Sequence, residues 1–158
     1  MEIVRQLYLD RLIARKHNGL VKVITGIRRC GKSYLLLNLF KRHLLESSVA
    51  PENILIYEFD RWQSRHLRDP EAFFADLEQK INQTGRTYVL LDEVQMLADF
   101  SEGLNSLLRE PNLDLYVTGS NSKFLSSDVL TEFRGRGDEV HVFPLSFSEF
   151  MRAYDGDV

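Results

Sequence analysis

The chain has 158 residues, a length that suits one domain and leaves no room for two well-packed ones. Hydrophobic residues make up 44%, charged residues 27%, and the net charge is −3, a balance that weighs against a dedicated nucleic-acid grip while leaving room for a local basic patch. No apolar run reaches the ~18 residues of a membrane span, the N-terminus lacks the apolar core of a secretory signal, and a lone cysteine cannot close an internal disulfide, so a cytoplasmic location is expected.

Residues 3–18 carry apolar side chains at helical spacing, with Ile3, Leu7, Leu12 and Ile13 as the expected buried face. Val21–Thr25 is an expected strand, followed by a glycine loop and by Lys32–Leu45, a leucine-rich helix buried on most of one side. Pro51 stops the chain before a second strand, Ile54–Phe59, and residues 60–69 read as a polar loop. Pro70 opens a helix capped by Asp69 and running to about Gln83, with Gly85 closing it. Thr87–Leu91 is a third strand that ends in Asp92 and Glu93, Ala98–Arg109 a helix, and Leu113–Thr118 a fourth strand. Residues 122–133 are expected to be helical, Glu139–Phe143 to form a fifth strand, and Ser146–Tyr154 to begin another helix. Short β-rich runs alternating with helices predict an α/β fold, a three-layer sandwich around a mainly parallel five-stranded sheet.

Residues 26–33 read GIRRCGKS and fit the G-x-x-x-x-G-K-[ST] phosphate-loop pattern in full, with an apolar strand before and a helix after. Gly26 and Gly31 let the backbone turn tightly and aim N–H groups at phosphates, while Ile27, Arg28, Arg29 and Cys30 mainly supply backbone. The helix that follows, through Tyr34, adds the positive end of its dipole. Lys32 is expected to reach the β- and γ-phosphates of ATP, and the Ser33 hydroxyl to ligate Mg²⁺. Arg28 and Arg29 read either as added charge near the phosphates or as solvated loop arginines.

The third strand, YVLLDE, delivers two adjacent carboxylates to the edge where open α/β sheets bind ligands. Asp92 can hold Mg²⁺ opposite Ser33, and Glu93 can orient and polarise an attacking water. Strands also end in Asp or Glu for solubility alone, so the preceding phosphate loop is what favours the functional reading.

These motifs, followed by TGSNSKFL at 118–125, Gly135-Arg136 and PLSFSEF at 144–150, resemble the AAA+ ATPase superfamily. More narrowly, they resemble a widespread group of prokaryotic ATPases that share GxRRxGKS, LLDEVQ, TGSNSKFL and PLSFSEF, and the resemblance covers essentially the whole chain. It implies the strand order 5-1-4-3-2 and Mg²⁺-dependent ATP hydrolysis. It also implies a polar sensor after the fourth strand, Ser120 or Asn121, with Asn121 the closer match. An arginine before the fifth strand, Arg134 or Arg136, would reach a neighbouring subunit's nucleotide, which implies a homo-oligomer. Arg136 matches the group's GR, although a solvated arginine in a glycine turn reads equally well. Members of the group continue into a helical lid and a C-terminal region. Residues 1–158 are therefore expected to be the N-terminal ATP-binding core of a longer protein, with nucleic acid a candidate partner of the downstream region and no membrane contact.

Other features carry less. His17, His43, His66 and His141 show no metal-ligand spacing. Arg61–Arg68 combines a tryptophan with arginines, which suits either a nucleic-acid backbone or a charged loop after an edge strand. Two rival functions use the same residues, a nucleotide-gated switch with little turnover and a P-loop phosphotransferase. No NKxD motif occurs, which favours ATP over GTP.

Overall fold

The computed structural model describes residues 5–27, 30–81, 84–120, 133, 135–143 and 151. Five strands, β1 (Val21–Thr25), β2 (Ile54–Glu58), β3 (Thr87–Asp92), β4 (Leu113–Thr118) and β5 (Gly137–His141), pair in parallel in the order β2-β3-β4-β1-β5. This is the expected 5-1-4-3-2 read from the other edge.

Both faces of the sheet are covered, as a parallel sheet requires. Alternate residues of the inner strands feed two cores. Val21, Val23, Val89, Leu91, Leu115 and Val117 pack with Phe73, Leu77, Phe100 and Leu104 of helices α3 (Pro70–Lys80) and α4 (Phe100–Leu107). On the opposite face, Ile24, Leu90 and Tyr116 meet Tyr8 and Leu12 of α1 (Gln6–Ala14) and the leucines of the helix that follows the glycine loop. Helix α2 joins three consecutive segments, Lys32–Tyr34, a π-helical stretch Leu35–Phe40, and Lys41–Glu46. The wider π turn gathers Leu35, Leu36, Leu39 and Phe40 onto one buried stripe against the sheet.

Several boundaries differ from expectation. In α1 the buried residues are Tyr8 and Leu12, whereas Leu7 is 59% exposed. The helix is turned this way because Tyr8 packs beneath the Arg5 guanidinium and its hydroxyl receives the Phe143 N–H. The polar loop contains a 3-10 segment, Trp62–Arg68. Asp69 caps α3 as expected, accepting from the Ala72 N–H at 3.1 Å, but the helix stops at Lys80, where Ile81 turns extended and packs on the core. Helix α4 starts later than Ala98, because a 3-10 turn, Val94–Met96, and a left-handed Asp99 precede it. Strand β5 lies two residues earlier than expected, with Gly137 in register with Val21. The helices expected over 122–133 and from Ser146 fall outside the described residues, apart from Phe133 and Met151. No helix among the described residues is long and apolar enough to cross a membrane.

Candidate functional site

The C-terminal ends of β1, β3 and β4 open onto one edge of the sheet, where a cavity of about 510 Å³ is lined by Lys32, Ser33, Tyr34, Asp60, Glu93 and Gln95, among others. Ligands of open α/β sheets bind at this edge.

The glycine loop leaves β1 with backbone angles that other residues rarely adopt, φ +147° at Gly26 and +94° at Gly31. A Cβ at Gly26 would lie 2.5 Å from the Val142 carbonyl oxygen and 2.7 Å from Cys30 Sγ, so the loop packs directly on the chain leaving β5. Lys32 is buried and folds back on the loop, its Nζ donating to the Gly26 and Ile27 carbonyls at 3.0 and 2.8 Å and lying 3.7 Å from Cys30 Sγ. Cys30 is buried, while Ile27 and Tyr34 are exposed. Arg28 and Arg29 lie outside the described residues.

Opposite the loop, one oxygen of Asp92 accepts from Ser33 Oγ at 2.8 Å and from Thr118 Oγ1 at 2.7 Å. Burial raises the pKa of Asp92 from its ordinary value, with the Thr118 and Ser33 hydroxyls opposing the shift. The neighbouring Glu93 adopts a left-handed conformation, φ 54°, which takes its side chain off the strand direction. Its N–H donates to Thr118 Oγ1 at 3.0 Å. Its carboxylate accepts from Ser120 Oγ at 2.9 and 3.2 Å and from Gln95 Nε2. Gln95 Oε1 is buried without a hydrogen-bond partner.

Lys32, Ser33 and Glu93 thus line one cavity, and Asp92 joins them through the Ser33 hydroxyl. Ser120 meets the Glu93 carboxylate, and Asn121 lies outside the described residues. Thr118 and Gln95 were not singled out by the motif reading, although both stand inside quoted motifs. Arg136 is not part of this cluster. Its carbonyl accepts the Val21 N–H, which places it at the opposite, N-terminal edge of the sheet beside Arg109 and Asn105. Its guanidinium therefore cannot serve its own chain's loop. Arg134 lies outside the described residues. Among those residues, no three His, Cys, Asp or Glu side chains gather to hold a metal without help from a ligand. Trp62 is exposed, with the Arg65 guanidinium stacked 3.6 Å from its ring centre, and Arg61 pairs with Glu58.

A family model described as "AAA domain" matches residues 18–151. The chain is 35% identical over 156 residues to an uncharacterized protein of Haemophilus influenzae, covering 98% of this chain and 39% of that protein. It is 27% identical over 132 residues to an uncharacterized protein of Methanocaldococcus jannaschii, covering 84% of this chain and 28% of the relative. The chain therefore spans well under half the length of either. Among solved structures, Drosophila ORC bound to DNA superposes with a TM-score of 0.57 at 16% identity, covering 91% of this chain and 93% of that one. At this identity the likeness is one of fold.

Proposed function

Since this chain belongs to the AAA domain family, we propose that it binds ATP with Mg²⁺ and hydrolyses the terminal phosphate. The observation that carries the reading is the Ser33 hydroxyl on Asp92 at 2.8 Å, with Glu93 next in the chain and on the wall of the same cavity.

The glycine loop from Gly26 to Gly31 and the first turn of α2, through Tyr34, cradle the phosphate chain through backbone N–H groups. Lys32 exchanges the Gly26 and Ile27 carbonyls for phosphate oxygens. Ser33 and Asp92 offer adjacent hard oxygen donors at the foot of the cavity, the donor chemistry that Mg²⁺ takes. When bound, the ion neutralises charge on the β- and γ-phosphates. Glu93 orients the attacking water and accepts its proton, with Ser120 and Asn121 as the polar groups that set the carboxylate and the water in line. Arg136, remote from its own loop, acts on the nucleotide of a neighbouring copy in a homo-oligomer.

Glu93→Gln tests the assignment. The variant should bind ATP with unchanged affinity while steady-state phosphate release falls by about 10²–10⁴-fold. Unchanged turnover removes Glu93 from the reaction. A second reading, a nucleotide-gated switch with little turnover, draws on the bonds that tie Glu93 to Ser120 and Gln95. Phosphate release from the full-length protein separates the two, because a switch releases phosphate very slowly. We extend the proposal to the whole protein by taking residues 1–158 as its ATP-binding core and nucleic acid as its partner class, on the DNA-bound state of the Drosophila structure.

A further inference from the structure

The cavity is polarised. Glu93 on the cavity wall, with its partner Ser120, lies on the β3 and β4 side of the loop and marks the place of the terminal phosphate of a nucleoside triphosphate. Strand β1 has β4 on one side and β5 on the other. A phosphate chain whose far end lies at Glu93 therefore points its nucleoside end toward the exit of β5.

That exit is fastened to the loop. The Val142 N–H donates to the Thr25 carbonyl at 2.8 Å, and the Val142 carbonyl oxygen fills the place of a Cβ at Gly26. Arg5 is buried and divides its guanidinium between the Cys30 carbonyl of the loop and the Phe143 carbonyl, each at 2.8 Å. The Phe143 N–H donates to Tyr8 Oη at 3.2 Å. Both backbone groups of Phe143 are thus engaged, within one guanidinium's fork of the phosphate loop, while its side chain is 59% exposed. The ring meets His141 edge-on at 4.7 Å and 81°. The Nδ1 of His141 is engaged with Thr25 Oγ1 at 2.9 Å, which directs Nε2 away from the strand.

A large aromatic ring on an anchored backbone costs little further entropy to stack upon, and a purine ring presents a π-face that any aromatic residue accepts. We propose that the purine base of the nucleotide stacks on Phe143, with His141 Nε2 at the base edge. The inference rests on the ATP-binding reading above and adds to it the residue that recognises the base.

Calorimetric titration of the chain with Mg²⁺ and either ATP or inorganic tripolyphosphate tests it, because tripolyphosphate reports the loop without the base. Phe143→Ala should weaken ATP about ten-fold or more and leave tripolyphosphate unchanged, and Phe143→Trp should restore ATP binding. Wild-type affinity for ATP in Phe143→Ala overturns the base contact alone. Equal weakening of both ligands also overturns it, since the damage then lies in the loop. If the wild-type chain binds neither ligand, the nucleotide reading itself fails.

Discussion

Lys22 sits in the middle of an apolar strand and points to the face covered by α1 and α2, where it is fully buried. Its ammonium pairs with Asp114 of β4, reaches Asn18 Oδ1 at 3.3 Å and lies 4.8 Å from the centre of the Tyr116 ring. Asp114, 2% exposed, also accepts from Tyr116 Oη and from the His17 N–H. Lys22→Met removes the cation and leaves this carboxylate buried with neutral donors only. Breaking a buried pair from one side costs about 3–5 kcal/mol, since the remaining charge loses its partner without regaining water. In a chain of this length that lowers Tm by about 6–20 °C. Burial pushes the pKa of Lys22 below the usual lysine value, with Asp114 opposing. The unfolded chain therefore holds the Lys22 proton to higher pH than the folded one. Asp114→Asn, which strands the ammonium, should accordingly destabilise less as pH rises from 7 toward 10. The double variant removes both charges and keeps an acceptor for Tyr116 and His17, so it should recover most of either single loss. Urea unfolding followed by far-ultraviolet circular dichroism measures all three, because Trp62 is 72% exposed and reports the core poorly. A Lys22→Met cost below about 1 kcal/mol would refute the reasoning, as the pair would then carry no more than an exposed one. Strict additivity of the two single losses would refute it equally.

Gly26→Ala combines a forbidden φ with a Cβ placed 2.5 Å from a backbone oxygen, so it should abolish ATP binding in a calorimetric titration; retained affinity would show that the loop can shift. Burial lowers the pKa of both His17 and His43 from 6.5, with Arg86 next in weight at His17 and Lys16 at His43. The unfolded chain therefore takes up protons first as pH falls through that value, and Tm should decline from pH 7 toward 5. His43→Gln should flatten part of that slope, since His43 Nε2 lies 2.9 Å from Lys16 Nζ and gains a like-charged neighbour when protonated; an unchanged slope excludes it. Asp69→Ala removes the cap of α3 and should cost about 1 kcal/mol in urea unfolding, with no effect on nucleotide affinity.

Strand positions and the phosphate loop were legible because each leaves a mark in side-chain identity: continuous apolar runs for buried parallel strands, glycines where φ is positive, a lysine and a serine at fixed spacing; the sheet order came from the family resemblance alone. Contacts made through backbone carbonyls leave none. Arg5 holds Cys30 and Phe143 by their carbonyls, so nothing in those two side chains announces the clasp. The choice of Tyr8 over Leu7 for the core follows from the same clasp, since helical spacing alone favours either. Lys22 and Asp114 did leave a trace, one charge set in each of two apolar strands, VKVIT and LDLYVT. Reading them as partners needs the register, in which Lys22 lies opposite Tyr116, two residues beyond Asp114. Glu93 was legible as a carboxylate at a strand end, but its left-handed backbone was not. Outside glycine, asparagine and aspartate that conformation has no compositional signature.

The charged groups Lys32, Asp92 and Glu93 at the phosphate edge already have internal partners. Lys32 is bonded to the Gly26 and Ile27 carbonyls, Asp92 to Ser33 and Thr118, and Glu93 to Ser120 and Gln95. A buried ammonium or carboxylate left without such partners is costly, and here the loop and the strand ends supply them. Binding a triphosphate is then an exchange of partners, in which the net gain is the difference between phosphate and carbonyl as acceptors for Lys32. The same logic separates binding from turnover. Loop and lysine can exchange without disturbing Glu93, whose partners come from β4's exit and from its own turn. A ligand that fills the loop but reaches neither Ser120 nor Gln95 leaves Glu93 bonded as it is, so release of that carboxylate requires contact with one of those two side chains. On the proposed ATP-binding reading, a nucleoside diphosphate and a triphosphate differ in that reach, which makes the Glu93–Ser120 contact the expected point of discrimination.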